Sequence, residues 1–415
     1  MAASFVATPS QAATVTLKLV MVSYSDGMQK YYENLVQAFE KLNPEIKVDL
    51  SVLASSEIGS KVRTLIATGN SPDIVNNDEF SDEAAAGLLL EADQIVSAAT
   101  LKDILPVFMK NSEFNGVAYA VPDLASASAF FYNKKIFAGA GVKKVPTTWS
   151  ELEVAAKAIK KKYPKIYPVG LTFGPEVAQE EFTIWGGGNG GRLYNRKTGK
   201  YTLDTPEYLD TLKFLKKLVD NKFIQPKPEK TSRTDAFKLF AQGKVAMVNG
   251  GLALPDWLSK NGGENISWGA GALPHAPGKI DITLGVSNYF KGYKANGRQV
   301  EIRKFLNFIF IPKNYQEFLS AAGGFIPVTV SGGKVASANP NIEPYIKLIP
   351  RAIFDPVSLG SWQACKARIE TYLGASMLGN NQKKVLENMQ LMCEMAMRNF
   401  SGHSHPGRDH SEHDH

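Results

Sequence analysis

Aromatic side chains in polar or glycine-rich segments are the residues whose chemistry points most directly to a ligand. They are Tyr24, Trp185, Trp257, Tyr289 and Trp362. An aromatic ring offers a flat apolar face that matches the C–H face of a pyranose, and neighbouring Asp, Asn or Arg side chains can bond the sugar hydroxyls. For any one ring taken singly, a place in the hydrophobic core is the favoured alternative. As a group, these rings indicate carbohydrate binding.

Two short polar segments supply candidate partners for such hydroxyls. They are Tyr24-Ser25-Asp26-Gly27 and Asn76-Asn77-Asp78-Glu79. Ser, Asp and Asn also form turns and cap helices. Residue type alone therefore leaves ligand contact and turn formation equally open.

The elements that must position these segments alternate between strand and helix. Apolar periodicity predicts strands at Val15–Ser23, Ile46–Val52 and Asp73–Asn76, and helices at Lys30–Leu42 and Ile58–Thr68. A βαβαβ order implies a mostly parallel sheet, and ligands of such sheets bind beyond the carboxyl ends of the strands. Both polar segments follow strand ends of this kind.

The same mixture continues along the chain and predicts an α/β fold. A helix is expected at Trp149–Lys162, where Thr147 or Thr148 is the cap and Glu151 has capping-box spacing. Further strands are expected at Phe130–Tyr132, Val169–Phe173 and Val245–Val248, the last ending in Asn249-Gly250-Gly251.

A glycine cluster at residues 186–191 matches the letters of a dinucleotide-binding motif. A strand should precede that motif and a helix should follow it. Here Arg192–Tyr201 reads as a hairpin instead. The favoured interpretation is a glycine-rich loop that lets backbone approach a ligand.

No catalytic arrangement emerges from the remaining motifs. Ser331–Lys334 and Lys197–Gly199 have the letters of a penicillin-recognising enzyme in reversed order. His275 is the one histidine before the C-terminal tail, too few for a triad or a metal site. We therefore expect no catalytic residue, no metal and no cofactor. A hydrolase that uses a carboxylate pair is the remaining enzymatic alternative.

Length and composition narrow the class of protein. The 415 residues predict two or more domains, and no apolar run is long enough to span a membrane. The net charge of +7 is spread out, and its densest run, Lys157–Lys165, reads as a solvated helix face rather than a nucleic-acid site. With two cysteines, Cys365 and Cys393, free thiols are favoured over one bridge, and both stay open.

Both ends are expected to lie outside the fold, as disordered or cloning-derived segments. Met1–Ala13 is small and polar, and its end resembles the cleavage region of a secretory signal. Residues 401–415 hold five of the six histidines. A disordered tail is favoured there over a metal-binding one.

Several segments in a shared order carry a family resemblance. They are AFEKLNPEIKVD (Ala38–Asp49), TLIATGNSPDIV (Thr64–Val75), AAAGLLLEAD (Ala84–Asp93), FNGVAYAVP (Phe114–Pro122), FFYNKKIFAGAGV (Phe130–Val142), PTTWSELEVAAKAI (Pro146–Ile159), FAQGKVAMVNGG (Phe240–Gly251), WGAGALP (Trp268–Pro274) and GGFIPV (Gly323–Val328). Together they resemble the extracellular solute-binding proteins of ABC importers, specifically the maltose-binding-like sugar-binding group.

This resemblance implies a two-lobed α/β fold of type II, in which each lobe is a mostly parallel sheet flanked by helices. Residues 14–124 and 286–328 would form the first lobe, and residues 125–285 and 329–400 the second, joined by a hinge. The ligand contacts it implies are Tyr24, Ser25, Asn77, Asp78, Glu79, Asp123, Trp185, Gly186, Gly187, Gly250, Gly251, Ser287, Asn288, Tyr289, Arg351 and Trp362. Trp257 is either a further platform or a core residue.

The resemblance also implies a function. The expected protein is a monomeric receptor outside the cytoplasmic membrane that captures a sugar and delivers it to the transmembrane permease of an ABC importer. A polyamine, an amino-acid derivative or a phosphorylated polyol is an alternative ligand. A sensory receptor that works by the same closure is an alternative role.

Overall fold

Two β-sheets organise the protein. The structure is a computed structural model that describes residues 14–174, 177–323, 325–336, 343–346, 348–379 and 381–403. Met1–Ala13 and residues 404–415 lie outside the described residues, so the predictions for both ends are not tested. None of the described helices is both long and apolar enough to cross a membrane.

The strands are numbered in chain order. They are β1 Val15–Val22, β2 Ile46–Leu53, β3 Ile74–Asn77, β4 Glu113–Phe114, β5 Val117–Ala118, β6 Val121–Ala127, β7 Ala129–Asn133, β8 Tyr167–Gly170, β9 Tyr194–Asn195, β10 Lys200–Tyr201, β11 Val245–Gly250, β12 Trp268–Gly271, β13 Thr283–Gly292, β14 Ile326–Pro327 and β15 Ala352–Ile353.

The α-helices are numbered in the same way. They are α1 Met28–Leu42, α2 Ser55–Ala67, α3 Ser81–Ala85, α4 Ala92–Ile95, α5 Ala98–Asp103, α6 Pro106–Met109, α7 Lys134–Gly139, α8 Trp149–Lys162, α9 Ala178–Gly188, α10 Pro206–Asp220, α11 Arg233–Ala241, α12 Leu254–Lys260, α13 Gln299–Ile309, α14 Pro312–Ala321, α15 Val330–Ala336, α16 Glu343–Ile346, α17 Trp362–Tyr372 and α18 Gln382–His403. Short 3-10 helices occupy Lys110–Ser112, Pro228–Lys230, Ile349–Arg351 and Leu373–Met377.

The larger sheet has the strand order β14-β6-β13-β3-β1-β2, and β15 also pairs with β13. β1 is parallel to both β2 and β3, so the predicted βαβαβ unit is confirmed. β13 joins it antiparallel to β3 and β6. The carboxyl ends of β1 and β3 therefore meet at one edge of this sheet, where Tyr24 follows β1 and Asn77 ends β3.

The smaller sheet has the order β12-β7-β11-β8. β8 and β11 are parallel, whereas β7 is antiparallel to β11 and β12. α8 begins where predicted, because Thr148 Oγ1 accepts from Glu151 N at 3.2 Å. The Glu151 carboxylate in turn accepts two hydrogen bonds from Thr147, one from its backbone N–H and one from its hydroxyl.

The chain crosses between the sheets at the junction of β6 and β7 and again before β13. Ser128 N donates to Thr283 Oγ1 at 2.9 Å, and Thr283 Oγ1 donates to Ser128 O at 2.8 Å. These two bonds hold the crossing strands side by side. The predicted lobe boundaries at 124/125 and 285/286 fall inside β6 and β13, and the division itself stays a prediction.

One hydrophobic cluster joins residues of both sheets, such as Leu124 of β6 and Phe131 of β7, and a second cluster packs around α8, α9 and α10. One sequence expectation about this second cluster was wrong, and one open question about it is answered. Gly186–Gly188 lie inside α9 and not in an open loop. A Cβ at Gly186 would lie 2.1 Å from the Tyr208 ring, so tight helix packing requires glycine there. Cys365 and Cys393 are not free thiols but form a disulfide that ties α17 to α18. The predicted hairpin is confirmed as β9 and β10.

Candidate functional site

A cavity of about 260 Å³ lies where the two sheets meet beside the crossing strands. From the larger sheet and its loops come Ser126, Val286 and Phe325. From the smaller sheet and its helices come Thr172, Val177, Glu180, Glu181, Ile184, Arg233, Phe237, Asn249, Gly250, Gly251, Ala253 and Leu254, and Ser128 joins the two sets. The parallel strands β8 and β11 point their carboxyl ends at this cavity, which is the usual ligand position in α/β sheets.

Glu181 organises the polar wall of this main cavity. Its buried carboxylate accepts from Thr172 Oγ1 at 3.0 Å, from Trp185 Nε1 at 2.8 Å and from Asn249 Nδ2 at 2.7 Å. Burial raises the pKa of Glu181 to about 7, although the three donors oppose that rise. Glu181 is thus held in place by the protein and in turn fixes the Asn249 amide.

Asn249 has an unmatched acceptor. Its side chain is 7% exposed, and its Oδ1 has no hydrogen-bond partner among the described residues. An unpaired buried oxygen costs about 1–3 kcal/mol. A ligand that donates an O–H or N–H group here would remove that cost.

The charges of the main cavity do not suit an anion. Arg233, the single base among the described residues of its wall, makes an ion pair with Glu180. With Glu181, these described residues include two acids and one base. A phosphate or carboxylate ligand would meet no uncommitted cation among them.

Apolar side chains cover other parts of the same cavity. Phe237 enters from α11 and packs against the Trp257 ring with centroids 5.5 Å apart. Phe325 enters from the opposite side, beside β14. The cavity therefore combines aromatic rings and fixed polar groups, as small-molecule sites do.

The polar residues at the ends of β1, β3, β6 and β13 form one connected cluster. Tyr24 Oη donates to Asp123 Oδ2 at 2.7 Å and accepts from Asn288 Nδ2 at 2.8 Å. Asn76 Nδ2 donates to the same Asp123 oxygen at 2.7 Å. Burial raises the pKa of Asp123 to about 7. The Tyr24 ring lies 5.6 Å from that of Phe325, so one aromatic side chain separates this cluster from the main cavity.

A second cavity of about 70 Å³ lies beside the first and shares Glu180 and Val286 with it. It brings together Asp78 from the end of β3, Trp362 from α17 and Asp355 from the segment after β15. Asp78 and Trp362 were expected ligand contacts, and the structure places them in one wall.

Some expected contact residues lie elsewhere. The Trp185 ring is 1% exposed and packs edge-on against Phe130, so a stacking platform there does not fit its placement. Gly187 is a packing residue like Gly186, since a Cβ would lie 2.3 Å from Ile353 Cδ1. Arg351 lies on the surface, where it makes an ion pair with Asp281.

The Tyr289 ring is likewise enclosed. It is fully buried and its hydroxyl accepts from Ser287 Oγ at 3.0 Å and from Asn111 Nδ2 at 3.1 Å. Burial raises the pKa of Tyr289 to about 12. Trp362 is also almost fully enclosed, but it contributes to the wall of the small cavity.

The sequence left ligand contact and turn formation equally open for the polar segments at the ends of β1 and β3, and the structure shows residues of both kinds. Ser25 forms a turn, because its Oγ donates to Ala321 O and accepts from Gly27 N at 3.1 Å. Glu79 uses its backbone oxygen to accept from the buried Lys291 Nζ at 2.5 Å. Asn77 is buried, and its Oδ1 has no partner among the described residues. Asp78 and Asn77 are therefore the stronger ligand candidates of this group.

Several cavity residues were not expected from the sequence: Glu180, Glu181, Arg233, Phe237 and Phe325. The sequence did contain a signal for Asn249, because it directly precedes the expected contact Gly250 at a strand end. It also contained one for Glu181, which lies one helical turn before the expected contact Trp185.

Comparison with known proteins gives one consistent result. The family model for bacterial extracellular solute-binding proteins matches residues 24–316. A Brucella abortus protein described as a binding protein is 28% identical over 364 residues, which is 87% of this chain and 88% of that one. The multiple sugar-binding protein of Streptococcus mutans is 25% identical over 333 residues, 77% of each chain.

A solved structure agrees in fold. An ABC transporter solute-binding protein of Thermotoga lettingae, bound to α-D-tagatose, superposes with a TM-score of 0.78 at 18% identity. The match covers 92% of this chain and 100% of that one. The two-lobed architecture predicted from the sequence is thereby confirmed. Since the family model spans more than half of the chain, this protein belongs to the bacterial extracellular solute-binding proteins.

Proposed function

We infer that this protein captures a sugar in the main cavity and delivers it, chemically unchanged, to the membrane permease of an ABC importer. One observation carries the inference: the main cavity joins both sheets beside the crossing strands and presents aromatic rings together with the Asn249 acceptor. Sugar hydroxyls donate to such acceptors, and the C–H faces of the rings pack on aromatics. The multiple sugar-binding relative supports the same ligand class.

Capture would proceed by closure of the two lobes about the crossing strands. Because the cavity wall draws on both sheets, a ligand that bridges them stabilises the closed arrangement over the open one. The Ser128–Thr283 bonds lie at the crossing and would keep the strands in register while the lobes move.

The ligand that fits the main cavity is uncharged or cationic. Arg233, the one base among the described wall residues, is neutralised by Glu180, which argues against a phosphorylated polyol. Arg351, the sequence candidate for a phosphate contact, is paired with Asp281 at the surface. A polyamine remains the second candidate, because the described residues of the wall include more acids than bases.

Binding without chemistry is the favoured activity. A glycoside hydrolase needs one carboxyl group free to protonate and one free to attack or to activate water. Here Glu181 is engaged by three donors and Glu180 by Arg233. Mass analysis of a bound sugar before and after incubation tests this directly, since smaller products would contradict it.

The proposed location is outside the cytoplasmic membrane, and the proposed state is a monomer. Family membership supports an extracytoplasmic place. The Cys365–Cys393 disulfide supports it further, because such bonds persist in oxidising compartments.

The test is a thermal-shift screen of protein that has been unfolded and refolded to remove retained ligand. The panel contains mono- to tetrasaccharides, polyols, polyamines, amino acids and phosphate esters. A ligand of the native state raises the melting temperature with its saturation. We expect a shift with one sugar family, and we expect Asn249→Ala to weaken its binding by about ten-fold. Asn221→Ala, an exposed helix-end residue, is the matched control. Shifts of the melting temperature with polyamines or amino acids alone would overturn the proposal that the ligand is a sugar.

A further inference from the structure

The small cavity holds an excess of acceptors that the main cavity does not explain. Among the described residues, three acids line it: Asp78, Glu180 and Asp355. Lys366 lines it as well, and Glu180 is already paired with Arg233. Of these described residues, Asp78 and Asp355 therefore face one lysine, which leaves one carboxylate in excess of the cations.

Asp355 is a partly buried acid of this cavity with few compensating contacts. Among the described residues, its side chain has one hydrogen-bond partner, Thr183 Oγ1 at 2.8 Å. Burial raises the pKa of Asp355 to about 7, and the nearby Lys366 charge only partly opposes the rise. A partly buried carboxylate without a paired cation carries a desolvation cost, so a cationic group placed against it would be favoured.

Gln179 is the second, independent sign of a missing partner. Its side chain is 2% exposed and lines the small cavity, and its Oε1 has no hydrogen-bond partner among the described residues. An amide oxygen is an acceptor only, so the group that satisfies it must be a donor.

The remaining wall and the size of the cavity fit a compact cation. Trp362 contributes an aromatic ring, and ammonium groups bind well against such rings. The volume of about 70 Å³ suits a substituent and not a sugar ring. Groups of three or more acids, His or Cys with metal-site geometry are absent from the described part of the chain, so an ammonium fits better than a metal ion.

We propose that the small cavity is an ammonium subsite and that the captured ligand is an aminated sugar. The pyranose ring occupies the main cavity, and its primary amino group reaches past Glu180 and Val286 to Asp355 and Gln179. This proposal rests on the sugar-capture function proposed above and specifies its substrate class.

Titration calorimetry of the refolded full-length protein tests the proposal with matched sugar pairs. The probes are glucosamine with glucose, galactosamine with galactose, 6-amino-6-deoxyglucose with glucose, and the β-1,4-linked glucosamine disaccharide with cellobiose. At least one aminated probe is expected to bind about ten-fold or more tightly than its hydroxyl counterpart. N-Acetylglucosamine, which keeps the nitrogen and loses the charge, should lose that preference.

Variants assign the preference to this cavity. Asp355→Asn keeps the Thr183 bond and removes the charge, so it should abolish the preference for the aminated sugar over its hydroxyl counterpart. If Asp355→Asn fails to fold, Gln179→Met serves as the second test. The two side chains are similar in size, and the change should weaken the same preference. Asp210→Asn, an exposed acid on α10, is the matched control and should retain it.

The outcomes separate the two proposals. Hydroxyl sugars that bind as tightly as every aminated partner would overturn the ammonium subsite and leave sugar capture intact. Binding of neutral sugars with no aminated probe bound would do the same. Absence of binding by either kind of sugar would overturn both proposals.

Discussion

Trp185 Nε1 donates a hydrogen bond to Glu181 Oε2 at 2.8 Å, one turn of α9 earlier. The same carboxylate oxygen accepts from Asn249 Nδ2 at 2.7 Å. A core tryptophan thus orients a cavity amide through one buried acid. The ring that the sequence suggests as a sugar platform is instead linked to the main cavity by this chain of two hydrogen bonds.

Trp185→Phe should keep most of the core packing and leave Glu181 one donor short. We expect a loss of about 1–3 kcal/mol in the free energy of unfolding. Chemical denaturation measures it. In the double variant with Glu181→Gln the two losses should be clearly non-additive, because the residues share one bond. Additive losses would show that the Trp185–Glu181 hydrogen bond does not contribute to the free energy of unfolding.

The buried carboxyls of Asp123 and Glu181 and the partly buried carboxyl of Asp355 make stability depend on pH. Burial raises the pKa of Asp123 and Asp355 from 3.8, and that of Glu181 from 4.5, to about 7 in each case. Between those values the unfolded chain has lost protons that the native protein keeps. Stability should therefore fall as pH rises from about 5 to 7, with a slope of up to about 1.4 kcal/mol per pH unit for each group.

Asp355→Asn isolates one of these contributions. Its unfolding free energy, measured by denaturant titration at several pH values, should decline less steeply than that of the wild type over the same range. Asp210→Asn, whose carboxylate is exposed, should follow the wild-type curve. A wild-type slope retained in Asp355→Asn would mean that Asp355 is ionised throughout the range.

The disulfide between Cys365 and Cys393 closes a loop with a sequence separation of 28. Replacing both cysteines with Ser should lower the free energy of unfolding by about 3–4 kcal/mol, since the unfolded chain regains loop freedom. The comparison is made with and without a reducing agent. Wild-type protein under reduction should approach the variant, and the variant should not respond to the reductant.

Thr283→Val removes the hydroxyl that both accepts from and donates to Ser128. The site is fully buried, so we expect a loss of about 1–3 kcal/mol in unfolding free energy. Thr371→Val, an exposed residue on α17 whose hydroxyl bonds within its own helix, is the control and should lose much less. Equal losses would mean that the crossing bonds add nothing specific.

Local patterns in the sequence predicted the elements that depend on local forces. β1, α1 and β2 follow from alternating or 3.6-residue apolar spacing, and α8 follows from the Thr148 cap. β3 begins and ends one residue later than expected, at Ile74–Asn77. Such shifts arise because strand ends are set by pairing with distant neighbours, here β13.

The site was harder to predict because its contacts join distant parts of the chain. Glu181 and Asn249 are 68 positions apart, and the pairing of their side chains has no local signature. Gly186 and Gly187 suggest a flexible loop by type, but Tyr208 and Ile353 require small residues at a packed helix. Tertiary packing overrode the low helix propensity of glycine there. The cysteine pairing likewise depended on α17 meeting α18.

The helix that carries Cys365 also carries Trp362 and Lys366 into the wall of the small cavity. The cross-link to Cys393 therefore fixes the position of part of the proposed binding surface. A newly made chain in a reducing compartment lacks this restraint. We expect such a chain to bind its sugar weakly, so that full affinity is acquired only after export and oxidation, and the cell's own internal sugar pool is spared from sequestration during synthesis.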